Sequence, residues 1–127
     1  FREYFLPTAL VKIAGQEIKV ELAKTPKAQA KGLSGRKKLA ANQGMLFLFS
    51  ISQKHSFWMK DMNFPIDIIW INNGEVVDIA PSLPPAMEAN PPVYYPRLPV
   101  DAVLEVIAGF SEKNGLKIGD KMEMLTK

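Results

Sequence analysis

The chain has 127 residues, of which 47% are hydrophobic and 23% charged, with a formal net charge of +3. That size fits one domain, residues 1–127, with a real core, and the composition is globular rather than disordered. The absence of cysteine excludes disulfides, thiolate nucleophiles and Cys-ligated zinc, no apolar run approaches the ~20 residues that span a bilayer, and the mild basic excess argues against nucleic acid.

The chain opens on Phe1 rather than methionine, as a trimmed or mature form would. Thr8–Ile13 and Glu17–Leu22 read as two strands around an Ala14-Gly15-Gln16 turn, where glycine permits positive φ. Thr25-Pro26 reads as a helix start, with threonine as the cap and proline in the first turn. The helix runs to Lys31 and stops at Gly32. Gly32 to Leu39 reads as loop or broken helix.

Met45–Phe49 and Ser56–Lys60 read as the next two strands. In the second, alternation puts Phe57 and Met59 on one face and Ser56, Trp58 and Lys60 on the other. Ile66–Ile71 and Glu75–Ala80 form the clearest hairpin, joined by Asn72-Asn73-Gly74. Seven of the ten prolines fall between Pro81 and Pro99, which excludes a helix or a central strand there. That segment is expected to be an ordered surface loop carrying Tyr94 and Tyr95, and to roof a site. Ala102–Ala108 resumes as a strand, Phe110–Asn114 makes one helical turn ended by Gly115, and Lys121–Leu125 is a last strand. The expected fold is mainly β: a compact sandwich or barrel of about eight strands with one or two short helices.

Charged groups interrupt the apolar runs at Lys60, Asp67 and Glu105. Buried charges tend to pair, so the three are expected to lie in one cluster. Asp67 reads either as a ligand-binding or acid/base carboxylate, or as a cap of the Asn63–Pro65 turn or partner of Lys60. Glu105 could pair with Asp67 for general acid/base work, or both could belong to one buried network with Lys60 and Arg36. His55 is the only histidine, which argues against zinc and reads as a surface position. Ser34, Ser56 and Ser111 stand in no nucleophile-elbow pattern. Trp70 reads as core. Trp58, Tyr94 and Tyr95 are aromatics that can line a pocket.

The segments Gly44-Met45-Leu46-Phe47, Phe57-Trp58-Met59-Lys60, Pro65-Ile66-Asp67-Ile68, Gly74-Glu75-Val76-Val77 and Leu104-Glu105-Val106, with Gly109, Gly115 and Gly119-Asp120, resemble the family known as domain of unknown function 192. The chain departs from that family's common pattern at Ser34-Gly35-Arg36 and at Asp61-Met62. The resemblance implies a small mainly-β domain, often carried behind an export signal or lipid anchor in bacteria and archaea, and hence an extracytoplasmic location at the periplasm or cell surface. It implies no established activity.

The leading functional reading is a non-catalytic ligand-binding or accessory domain. Its cleft would be formed by Trp58, Lys60, Asp67 and Glu105 with Tyr94 and Tyr95, and would take a small polar ligand. Lys60 would anchor the ligand and the carboxylates would orient it. The alternatives are a small hydrolase or lyase using Asp67 and Glu105 as its acid/base pair, and a structural or protein-interaction module. No cofactor and no metal are expected.

Overall fold

The computed structural model describes residues 6–126. Nine strands and two short helices follow one another as β1 (Thr8–Ile13), β2 (Gln16–Ala23), α1 (Pro26–Lys31), β3 (Gln43–Gln53), β4 (Phe57–Trp58), β5 (Ile66–Asn72), β6 (Glu75–Leu83), β7 (Val93–Tyr94), β8 (Val100–Ile107), α2 (Phe110–Lys113) and β9 (Met122–Met124). Seven strands form one sheet in the order β6-β5-β8-β3-β2-β1-β9, and β4 pairs with β7 in a small second sheet. The large sheet curls until its two edges meet. Val76 N donates to the Asp120 carbonyl, Met122 N donates to the Gly74 carbonyl, and Glu75 bridges Lys121. Closure of this kind leaves the edge groups of β6 and β9 partly satisfied rather than open to foreign strands.

Strand alternation separates two apolar clusters. Leu46, Ile69, Ile71, Leu104 and Val106 point to one face, where they pack with Val11, Ile13, Val20, Phe110 and Leu116. Met45, Phe47, Ile66, Ile68, Trp70 and Val103 point to the other, under α1, Leu33, Met59 and Met62. Both faces of β5 are therefore covered, and Ile66 through Ile71 are all buried. That is why its sequence reads as a continuous apolar run rather than an alternating one.

Local chemistry sets the connections. Ala14 and Gly15 adopt φ of 51° and 75° in the β1–β2 turn, and Asn73 and Gly74 adopt 51° and 78° in the β5–β6 turn. These are the left-handed backbones that two-residue hairpins need. Thr25 caps α1 through its side chain, which accepts from Ala28 N, and Gly32 ends the helix with φ 51°. The expected strand count of about eight becomes nine because the proline-rich segment contributes β7, paired Phe57 to Tyr94 and Trp58 to Val93. Pro81 extends β6 as far as Leu83. It is tolerated because β6 stands at the end of the strand order, where a missing donor costs least.

Candidate functional site

A cleft of about 680 Å3 opens on the face of the sheet that carries α1 and β4. α1 is stapled over it by Gln29, whose Nε2 donates to the carbonyls of Ala23 (3.1 Å) and Leu48 (2.8 Å). The Leu48 carbonyl is available because the β3–β8 register shifts just after it. Across the cleft, Trp70 Nε1 donates to the His55 carbonyl at 3.1 Å and so ties the β3–β4 connection to the core. The His55 ring stacks on Phe49 with centroids 3.6 Å apart.

Glu105 lines the cleft and is only 5% exposed. It stands on a row of residues that crosses four strands of this face, Glu21–Met45–Glu105–Ile68. The two carboxylates of that row have opposite environments. The Glu21 carboxylate accepts from both terminal nitrogens of the Arg36 guanidinium, the Nη2–Oε1 distance being 2.8 Å. This hydrogen bonding holds Glu21 below the usual carboxylate range and outweighs its partial desolvation. Glu105 has no such partner among the described residues, and burial alone pushes it up to about 8. A charged carboxylate there would lose its hydration without compensation. At neutral pH Glu105 is thus a carboxylic acid able to donate one hydrogen bond and accept another.

The walls are mixed, with Gln29, Ser34, Gln53 and Ser56 beside the apolar side chains, and the mouth is basic. Leu33, Phe47, Phe57 and Met62 line the interior, and Trp58, half-exposed, forms part of the rim. Lys60 lies with its Nζ 5.3 Å from the centre of the Trp58 ring, within cation–π range. Lys31, Lys54 and Asp61 complete the charged rim. Asp61 takes φ 61° in the turn after Lys60, and its carbonyl accepts from Gly35 N at 2.8 Å. A left-handed backbone is tolerated by Asp nearly as well as by Asn.

The expected cluster of Lys60, Asp67 and Glu105 does not form. Asp67 pairs in register with Val106, whereas Glu105 pairs with Ile68. Adjacent residues of a strand point to opposite faces, so the two carboxylates are on opposite sides of the sheet. Asp67 is fully buried. Its Oδ1 accepts from Ser82 N (2.8 Å) and Gly109 N (3.1 Å), and its Oδ2 from Ser111 N (2.8 Å). It ties β6, the β8–α2 turn and the start of α2 together, and neither caps the Asn63–Pro65 turn nor meets Lys60. The shared acid/base pair of Asp67 and Glu105 is excluded by this geometry. Nor does Arg36 join a network with Glu105, since its guanidinium is taken by Glu21.

The tyrosine roof also fails. Val93 is the residue of β7 that lines the cleft. Tyr94 pairs with Phe57 and is half-buried against the core, and Tyr95 is 65% exposed away from the lining. A two-residue strand lets only one of its side chains face a given side. Of the residues singled out in the sequence, the structure brings Trp58, Lys60 and Glu105 to one cleft.

Others reach it that no sequence pattern assigned to a site. Lys31 ends α1, Ser34 follows the Gly32 stop, and His55 sits half-buried rather than free on the surface. The loop 32–35 could have been suspected from its two glycines, which take φ of 51° and 79°. Among the described residues no group of three or more His, Asp or Glu side chains is placed to hold a metal ion.

The chain belongs to the family DUF192, described as Uncharacterized ACR, whose model matches residues 9–124. It is similar over 97% of its length to a candidate transcription regulator from Sinorhizobium meliloti, at 31% identity and a TM-score of 0.89, covering 98% of that chain. It is also similar over 93% of its length to a protein of unknown function from Novosphingobium aromaticivorans. The identity there is 33% and the TM-score 0.86, and the match covers 86% of that chain. No curated protein matches it.

Proposed function

We propose that this domain binds a small ligand in the cleft above Glu105 and performs no chemistry on it. The observation that carries the reading is a buried carboxyl with no partner among the described residues, facing an open cleft of about 680 Å3. Native proteins pair their buried polar groups. A carboxyl open to a cleft, with no partner among the described residues, can pair with a ligand that enters it. Trp58 and Phe57 offer the ligand an apolar surface, and Lys60 offers it charge.

The non-catalytic part of the reading follows from what surrounds Glu105. Its supposed partner Asp67 is committed to three backbone amides on the other face. The Ser34 hydroxyl donates to the Lys31 carbonyl at 2.7 Å, and His55 Nε2 meets the Ile51 carbonyl at 2.8 Å. Among the described residues no serine hydroxyl hydrogen-bonds the His55 ring. A regulatory role, which the name of the Sinorhizobium protein suggests, would fit through ligand sensing. The described helices have six and four residues, too short for a recognition helix in a DNA groove. An extracytoplasmic site of action is part of the proposal and rests on the family resemblance; fractionation of source cells tests it.

The binding test is a fragment screen read by amide chemical shifts of the labelled domain. The expected result is shifts confined to the cleft, at Ser34, Trp58 and Lys60, that vanish in Glu105→Leu. Shifts confined to other surfaces, or none from any fragment, would contradict the reading.

A further inference from the structure

We propose that the ligand is an amphipathic organic anion, with its charged head at Lys31, Lys54 and Lys60 and a neutral hydrogen-bond acceptor at its inner end, facing Glu105. The inference rests on the cleft being a ligand site and adds the chemical class of the occupant.

The mouth selects the charge. Three lysines line it against one aspartate, Asp61. The salt bridges among the described residues are Arg36–Glu21 and Lys121–Glu75, so none of the three lysines is paired with a carboxylate of the described residues. A concave site focuses such a field and raises the local concentration of anions. A cation would enter against it. A cation could gain only by meeting an ionised Glu105, and that ionisation is what the surroundings of Glu105 oppose.

The floor selects the inner end. A carboxylic acid without a partner among the described residues presents an O–H donor, so the complementary atom is an acceptor such as a carbonyl, ether or hydroxyl oxygen. A ligand that filled the cleft with hydrocarbon alone would leave that donor unpaired and lose affinity accordingly. Between mouth and floor stand Phe47, Phe57, Met62 and Trp58. They favour a flat or aliphatic body over a heavily hydroxylated one. A free phosphate or sulfate has the charge without the body and would be held weakly.

The test uses three matched probes on the labelled domain: 4-acetylbenzoate, its uncharged carboxamide, and the trimethylammonium analogue of the same ring. The benzoate is expected to shift the cleft amides with an affinity at least about fivefold above the other two, and to weaken as salt rises. Lys60→Gln should narrow that preference. Glu105→Gln keeps a neutral donor and should retain binding, while Glu105→Leu should lose it. Binding to the wild type should also weaken as Glu105 ionises at alkaline pH, and Glu105→Gln should remove that dependence. The variant separates Glu105 from the other titratable groups lining the cleft: Lys31, Lys54, His55, Lys60 and Asp61. Tighter binding of the ammonium or carboxamide probe overturns the inference and leaves the cleft as a binding site. Silence of the cleft to all three probes and to every fragment of the wider screen overturns the binding reading itself.

Discussion

Asp67 and Glu105 stand on adjacent strands, one register step apart, and face opposite sides of the same sheet: Asp67 is opposite Val106 and Glu105 opposite Ile68. The step gives two carboxylates in near-identical sequence contexts two unrelated jobs. Asp67 spends its charge on three amides of the chain. Glu105 keeps its proton and faces the cleft.

Asp67→Asn should destabilise the domain by about 2 kcal/mol or more. The amide retains one acceptor oxygen but turns an NH2 toward backbone N–H groups, and hydrogen bonds to a charged acceptor are worth about 1.5–3 kcal/mol each. Urea denaturation checks it. An unchanged midpoint would mean that the three amides do not depend on the carboxylate.

Gly44→Ala should be costly for a different reason. A Cβ at Gly44 would lie 2.7 Å from the Glu105 carbonyl oxygen and 3.2 Å from Val106 Cγ1. Backbone cannot yield as a side-chain tip can, so β3 and β8 must spread. Overpacking of this kind costs about 1–3 kcal/mol. Thermal unfolding measures it, and the amides of Glu105 and Val106 should lose hydrogen-exchange protection first.

Stability should fall as pH rises. Glu105 has a folded value of about 8 against an ordinary value of 4.5, so between the two the folded state holds a proton that the unfolded state has released. Its contribution is fully present below the unfolded value and is lost as pH rises through the folded one. The full span is worth on the order of 5 kcal/mol. Glu21 acts with the opposite sign. Its lowered value gives stability above the unfolded range that is lost as pH falls through the folded value. Being partly exposed, the Glu21–Arg36 pair contributes no more than about 1 kcal/mol. Denaturation midpoints between pH 3 and pH 10 should therefore decline between about pH 4.5 and pH 8 and level off above that. Glu105→Gln should flatten that decline, and Arg36→Met should reduce the acid loss.

Ser111→Ala should be neutral or mildly stabilising. Its hydroxyl is buried with no partner among the described residues, whereas its backbone N–H donates to Asp67. Removing an unsatisfied hydroxyl leaves the second interaction intact. A loss of more than about 1 kcal/mol in chemical denaturation would show that the hydroxyl has a role in holding α2.

Much of the fold was legible because local chemistry dictated it. Thr25-Pro26 and Gly32 bound α1, Asn73-Gly74 bound the β5–β6 hairpin, and the unbroken run Ile66–Ile71 marked a strand covered on both faces. The site was half legible. Polar residues inside apolar runs pointed to Lys60, Asp67 and Glu105, but which face each carboxylate takes depends on register between distant strands. Period-2 alternation does not set the register of β5 against β8. The short strand β7 was hidden for a related reason: its pairing with Phe57-Trp58 is a tertiary fact in a segment whose prolines speak only against regular structure.

The central claim is that Glu105 is a carboxylic acid standing at the floor of a ligand cleft. Selective 13C labelling of the glutamate side chains and a pH titration of the Glu105 carboxyl shift test it most directly. The account predicts a midpoint near 8 and a movement of that midpoint when a cleft ligand is added. A midpoint in the ordinary carboxylate range, unmoved by any ligand, would contradict it.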